Sequence, residues 1–438
     1  MSEYLPREDQ NGWRSDFVKQ FNDIAALVAH PGTQYAPRLA AELYRHAALS
    51  RFVSGIAVPD DGFLGAVDKL MPAVLRRRWA NRRVRGVPAA RLKAFPRLEW
   101  AALRRLRRGE AAETVFAERN EAFQRAIPDR WIEEATHTIG FDTSSWLLAA
   151  RTIALNRPFV LDQSIGHPRT KERIYSELRV RFPEWAETVP HKSQAHLDRE
   201  RTEHEFASAI VAPSNFVKRT LAENGVNNGK VHIIPFGTDL QLFAPPPSPS
   251  PGKVVFLFAG TLTARKGVPV LLQAWREAKL TGRAELWLAG GGRVPLSAKS
   301  VEGVRWLGAL SRVSMAETMR RAHVFVCPSF FEGLAQVQIE ALAAGLPVIG
   351  TTASGAGEIV SPGETGMILE PGERAELVDA LRTLSDDAER RRLMRERCIA
   401  SRDSLSWAKY GQRWLHFLRS VRSNEEDVSI ATMQDFSS

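Results

Sequence analysis

PSFFEGLAQVQIEALAAGLPVIGTTASGAGEIV (328–360) is the stretch on which the reading of the fold turns. It follows HVFVCPS (323–329), a short apolar run of the kind buried in a parallel sheet. GLAQVQIEALAAG (333–345) reads as a helix ended by glycine, and PVIGT (347–351) as the next strand. Strand, loop, helix and strand in that order make one βαβ unit. Two carboxylates lie eight positions apart, Glu332 in the loop and Glu340 inside the helix. Ligands of doubly wound sheets bind beyond the carboxyl ends of strands, where Glu332 falls, so it is placed to accept hydrogen bonds from a polyhydroxyl ligand. The amides of Gly333, Leu334 and Ala335 open the helix, where unpaired N–H groups and the helix dipole favour a phosphate. Glu340, over two turns in, reaches ribose hydroxyls if it faces the cleft.

The same alternation extends outward. VVFLFAG (254–260), AELWLAGGG (284–292), VRWLG (304–308) and TGMILE (365–370) read as further strands. Helical stretches lie at 268–279, 314–321, 373–385 and 386–401. This is a doubly wound α/β domain over 254–405, followed by a closing helix at 406–422 and a polar, disordered tail at 423–438. APPPSPSPGK (244–253) carries five prolines and reads as a semi-rigid linker. Before it, IAALVAH (24–30), SRFVSGIAV (50–58), ALNRPFVLDQSIGH (154–167), EFASAIVAPS (205–214) and KVHIIPFGTD (230–239) read as strands running into loops. Residues 91–139 read as helical, and 1–243 as a second Rossmann-like domain.

Composition bounds the function. The chain has 438 residues, 44% hydrophobic and 25% charged, an ordinary globular mix. Two cysteines, Cys327 and Cys398, cannot form a disulfide framework or a thiolate zinc site. No apolar run approaches about 18 residues, the length of a spanning helix. The opening MSEYLPREDQNGW has early acids and no apolar h-region, which reads against a secretory signal and for a cytoplasmic location. Lys plus Arg number 60 against 50 acids, a net charge of +10. Residues 69–108 hold fourteen of those cations and one acid, Glu99. Leu70, Val74, Leu75 and Trp79, interleaved with Arg76 to Arg78, favour a helix on an anionic membrane face over a nucleic-acid tail. The alternative is a solvated arginine face.

E-x7-E at Glu332 and Glu340, with PS ahead of it and EALAAGLPVIGT behind, resembles the retaining glycosyltransferases of family 4, which have the GT-B fold. The resemblance is strongest over 205–385 and includes VAPSNFVKRTL (211–221) and IIPFGTDLQLF (233–243). It implies two Rossmann-like doubly wound domains facing a cleft, with the acceptor site on the N-terminal one. It implies transfer of a sugar from a nucleotide-diphosphate donor to a saccharide acceptor, lipid-linked in surface polysaccharide or glycolipid synthesis, with retention of configuration. In the family loop G-R-L-x-x-x-K-G, here GTLTARKG (260–267), Lys266 matches the lysine that binds the donor diphosphate. Thr261 stands where the family has arginine, and Arg265 is the neighbouring cation that could replace it. Ala335 stands where the family has glycine. Glu332 orients the donor sugar on this reading. His167 matches a histidine touching that sugar, or is a structural loop histidine. Pro31-Gly32-Thr33 is a thin version of the family's glycine-rich acceptor loop, with Gly32 in it.

Charge chemistry agrees with a cationic donor site. Arg265, Lys266 and the helix amides can stabilise a diphosphate leaving group without a metal. No D-x-D motif, which the metal-dependent alternative uses, occurs in the chain. No cofactor is expected. His196, Glu200 and His204 share one helix face at i, i+4 and i+8 and read as a solvated face rather than a metal site. Two other functions remain: a soluble-acceptor synthase of the sucrose or trehalose type, and a nucleic-acid or anionic-surface binder with a vestigial transferase domain. No nucleic-acid motif appears, so nucleic acid is not an expected partner. The basic stretch adds peripheral association with the inner membrane face.

Overall fold

The computed structural model describes residues 23–32, 34–59, 61, 82–191, 193–248 and 250–435. The expected amphipathic helix at 69–79, and Thr33, lie outside the described residues. Fifteen strands occur among the described residues: β1 Ala26–His30, β2 Leu49–Ser54, β3 Val58–Pro59, β4 Arg83–Val84, β5 Leu92–Ala94, β6 His137–Phe141, β7 Phe159–Asp162, β8 Ala209–Ala212, β9 Val231–Ile233, β10 Val254–Ala259, β11 Ala284–Ala289, β12 Val304–Gly308, β13 Val324–Cys327, β14 Val348–Thr351 and β15 Gly366–Leu369. The chain divides into two compact units, one from the described parts of Met1–Asp162, Thr202–Ala209 and Gly411–Ser438, the other from Gln163–Arg201 and Ile210–Tyr410.

In the first unit β5, β2, β1, β6 and β7 neighbour one another in that order, all parallel. Leu27, Val28, Phe52, Val53, Ile139 and Phe141 are fully buried, because both faces of a parallel sheet are covered by helices. One strand departs from the sequence reading. HTIGF (137–141), overlapping the end of the stretch read as helical, is β6, and it pairs with β1 on one side and β7 on the other. The helical material before it is three separate helices, Pro96–Arg107, Ala112–Arg125 and Asp129–Glu133.

The second unit holds a six-stranded parallel sheet ordered β12-β11-β10-β13-β14-β15. The order reverses between β10 and β13, which is the doubly wound pattern and puts a crevice at the carboxyl ends of those two strands. β8 and β9 pair in parallel through Ala212 and Ile233. Phe256, Phe258 and Trp275 fill the core, joined by Tyr175, Phe182 and Trp185. The proline-rich 244–253 segment is pinned by arginines: Arg320 donates to Leu242 O and Ala244 O, and Arg395 to Pro246 O. The last helix runs Trp407–Asp435, past the expected end at 422 and into the stretch read as a tail. No described helix is long and apolar enough to cross a membrane.

One glycine fixes the crevice. Gly267 has φ +74°, and a Cβ there would stand 1.9 Å from Pro328 O at the end of β13. Gly267→Ala must therefore strain the left-handed residue and push apart the loops after β10 and β13. We expect a loss of about 2 kcal/mol or more, read as a lower urea midpoint at unchanged m-value. An unaltered midpoint would mean the loops separate freely.

Candidate active site

Two loops of the second unit meet at the carboxyl edge of its sheet. GTLTARKG (260–267) leaves β10 and is seated by Gly260 N on Ala289 O and Leu262 N on Gly291 O, both at 2.9 Å. The 328–335 loop leaves β13. Phe330 N donates to Arg265 O at 2.8 Å and Glu332 N to Ala353 O at 2.9 Å, so backbone bonds tie it on both sides.

Glu332 lies between these loops, only 8% exposed. Its Oε1 accepts from Arg265 Nη1 at 2.5 Å and pairs with Lys266 Nζ. Arg265 Nη1 also donates to Phe331 O at 2.7 Å. Burial pushes the Tyr175 hydroxyl up, with Arg265 opposing. Two cations against one carboxylate leave an excess positive charge in a largely dry corner, where charge interactions are weakly screened. Arg265 is thereby directed to Glu332 and the loop backbone, while Thr261 stays exposed without a hydrogen bond among the described residues.

The helix that follows is Gln336–Ala343. Its expected trio of open amides is reduced, because Ala335 N donates to Ser354 O at 3.2 Å. The amides of Gly333 and Leu334 meet no acceptor among the described residues. Only glycine fits at 333, since a Cβ there would stand 1.8 Å from Ser164 O. Ser214 Oγ donates to Gly333 O at 2.6 Å, a contact the sequence reading did not single out.

Glu340 is 7% exposed and, among the described residues, pairs with one cation, Arg312 Nη2, at 3.3 Å. Burial pushes its carboxyl up to about 7, with Arg312 pulling the other way. Arg312 opens the helix Arg312–Arg321, 28 positions from Glu340, a separation with no periodic signature in sequence.

His167 belongs to the same unit. It precedes the helix Pro168–Arg181 and caps it, Nδ1 accepting from Arg169 N at 3.2 Å. Its own N–H donates to Thr220 Oγ1 at 2.9 Å. Burial pushes the ring down to about 4, with Glu200 opposing and Arg169 assisting, so it is neutral near pH 7. Next to it, a Cβ on Gly166 would meet the Phe331 ring at 2.8 Å, so the 163–167 loop lies against the 328–335 loop.

Gly32 is in the first unit, where its amide donates to His30 Nδ1 at 2.7 Å. His30 is buried and pushed down to about 4 by that burial, with Arg119 adding to it. Neither Tyr35 nor Asp162 was given a role from the sequence. The tyrosine hydroxyl donates to Asp162 Oδ1 at 2.8 Å, and burial raises that carboxyl well above the usual range, with Asp142 adding to it.

The helix face of His196, Glu200 and His204 is not solvated, which corrects the sequence reading. Glu200 and His204 are buried, and His196 Nε2 lies 2.7 Å from Glu200 Oε1. Adjacent Glu203 is buried because its two oxygens accept from Ser145 N and Thr143 N at 2.6 and 2.8 Å. No group of three metal-ligating side chains occurs among the described residues.

Comparison with known proteins matches residues 253–387 to the family described as glycosyl transferases group 1. The alpha-maltose-1-phosphate synthase of Mycolicibacterium smegmatis is 29% identical over 259 residues, 51% of this chain and 65% of that protein. The GDP-mannose-dependent alpha-mannosyltransferase of Mycobacterium tuberculosis is 31% identical over 231 residues, 50% of this chain and 58% of that protein. The matches thus span less than two thirds of the length of these curated relatives. Among solved structures, HepE of Anabaena in complex with UDP and glucose superimposes with TM-score 0.59 at 17% identity, covering 91% of this chain and all of that one. Sucrose-phosphate synthase of Thermosynechococcus elongatus gives 0.60 at 18% identity, covering 92% of this chain and all of that one. These likenesses show a GT-B fold.

Two expected outcomes follow from the site's burial. Burial holds the Glu340 carboxyl at about 7 in the folded protein, against 4.5 for a solvated glutamate of the unfolded chain. Between those values the native state holds a proton that the unfolded state lacks, so stability falls as pH rises and the cost is complete above about 7. Glu340→Gln should therefore match the parent near pH 4.5 and exceed it by about 1–3 kcal/mol at pH 8, in urea melts at both pH values. Equal melts at pH 8 would show the carboxylate to be adequately solvated. His167→Ala should cost about 1 kcal/mol by removing the cap, whereas His167→Asn, a good cap, should restore it. Equal losses in both variants would assign the ring a role beyond capping.

Proposed function

We propose, from the match of residues 253–387 to the group 1 glycosyltransferases, that this chain moves a sugar from a nucleoside-diphosphate donor to a saccharide acceptor. The observation that carries the reading is the carboxylate of Glu332 clamped by Arg265 and Lys266 beside the open amides of Gly333 and Leu334. The donor diphosphate takes Lys266 Nζ and the two amides. Its arrival exchanges partners: Lys266 turns to phosphate, and a Glu332 oxygen becomes free for a donor-sugar hydroxyl. Arg265, still bonded to Phe331 O, keeps the carboxylate aimed. Glu340 takes the ribose hydroxyls. As the glycosidic bond breaks, negative charge grows on the leaving phosphate, where Lys266 and the amides stabilise it.

The finer points of the proposal are these. Transfer retains anomeric configuration, with a leaving-phosphate oxygen as base and no protein nucleophile. The cationic clamp serves in place of a metal ion. Residues 1–243 carry the acceptor site, with Gly32 beside it, and 254–405 carry the donor. His167 stands next to the donor sugar as a neutral ring. The acceptor is lipid-linked, and the enzyme works at the cytoplasmic membrane face.

Lys266→Ala should weaken nucleoside diphosphate binding by one to two orders of magnitude, about 1.5–3 kcal/mol for a charge-assisted contact, in isothermal titration. Glu332→Gln should leave that affinity within a few fold while turnover of the nucleotide sugar falls, and Glu340→Ala should lower the affinity. Undiminished binding by Lys266→Ala would place the diphosphate elsewhere. The opposite division between the two carboxylates would exchange their assignments.

A further inference from the structure

The first unit has a groove of about 1200 Å³ that none of the chemistry above uses. It opens where ligands of parallel sheets bind. Ile56 and Val58 follow the carboxyl end of β2, and Ala94 is the last residue of β5. Gly55, between β2 and the groove, packs on the loop after β1 so closely that a Cβ would stand 2.4 Å from Pro31 O. The groove therefore begins beside the Pro31-Gly32 loop.

Its walls have two chemistries. Ile56, Val58, Leu103 and the 55%-exposed Trp100 give apolar surface. Arg97, Arg104 and Arg107 project from the same face of the helix Pro96–Arg107, and Arg82 also lines the groove. The acids of this region are already taken. Arg105, on another face of that helix, pairs with Glu110 and Glu118. Glu99 is shared by Arg119 and, at 3.9 Å, Arg82. Arg97, Arg104 and Arg107 have no carboxylate within 4.0 Å among the described residues. A solvated arginine face needs neither a groove nor an exposed tryptophan and apolar floor between its charges.

We propose that this groove binds an anionic amphiphile, a phosphate or diphosphate group on an apolar chain, and that this is the lipid carrier of the acceptor. The guanidinium groups match phosphate oxygens bidentately, and the Trp100 side accepts the first carbons of the chain. The saccharide end then lies toward the Pro31-Gly32 loop. This rests on the transferase reading of the preceding subsection, but its test does not depend on turnover.

The test is titration of the full chain with dodecyl phosphate below its micellar concentration, at moderate salt. Inorganic phosphate, dodecyl maltoside and a single-stranded oligonucleotide are run beside it, with a nucleoside diphosphate as a separate measure. Dodecyl phosphate should bind at least tenfold more tightly than inorganic phosphate or dodecyl maltoside, and more tightly than the oligonucleotide. Arg104→Glu with Arg107→Glu should weaken it tenfold or more, and Trp100→Ala several fold, with nucleoside diphosphate affinity unchanged in both variants. Equal binding of dodecyl maltoside, tighter binding of the oligonucleotide, or undiminished dodecyl phosphate binding by the charge-reversed variant would overturn the proposal. Absence of nucleoside diphosphate binding in the parent would instead count against the donor site, leaving the groove result to stand or fall by itself.

Discussion

A carboxylate taken out of water must be compensated, and the crevice of the second unit is built around that requirement at Glu332. Both of its cations come from the loop after β10, 66 and 67 positions earlier in the chain. The pairing would be of little value between mobile side chains on a surface. Here the backbones are joined first, by Phe330 N on Arg265 O and by the approach of Gly267 to Pro328 O. The ion cluster then forms with little further ordering. Removing one partner from such a buried set leaves a charge uncompensated, which is where the large costs of buried ion pairs arise. The cluster is therefore an arrangement of fixed charge, with two cations held against one carboxylate.

The second carboxylate of the motif is treated differently. Among the described residues Glu340 faces one cation, Arg312, which is more than half exposed and thus well solvated. Burial dominates, and the group titrates near 7. Two glutamates eight residues apart thus have unlike settings, one cross-linked by cations and one poised between neutral and charged. Such separation of environments lets one fold assign distinct tasks to identical side chains.

The βα alternation of 254–370 was legible because buried parallel strands are short apolar runs bounded by glycine-bearing loops, as in VVFLFAG and AELWLAGGG. HTIGF was not legible. Its histidine, threonine and glycine carry no apolar run, yet His137 and Thr138 are fully buried at the centre of the first unit's sheet. The charged helix 194–206 misled for the converse reason: Glu203 is buried because backbone amides more than 50 positions away satisfy it. At the site, residue types and spacing identified Lys266, Glu332 and Glu340 as candidates. They could not give the direction of Arg265 or the arrival of Arg312, which depend on which neighbouring loop each side chain reaches.

The length of the 328–360 motif has a physical reading in these contacts. Few of its residues face the crevice. The rest hold those few in place: Thr351 Oγ1 donates to Ser329 O at 2.6 Å, Gln338 Nε2 to Ser354 O at 2.8 Å, and Ser354 Oγ to Thr351 O at 2.8 Å. Ser354 O also accepts the Ala335 amide, and Ala353 O the Glu332 amide. The turn after β14 is thus the scaffold for the loop after β13, and it takes up the Ala335 amide while leaving those of Gly333 and Leu334 open among the described residues. A precise site needs supporting groups whose own hydrogen bonds are complete. The amide that sequence spacing offered to a phosphate is used instead to set the position of the amides that remain.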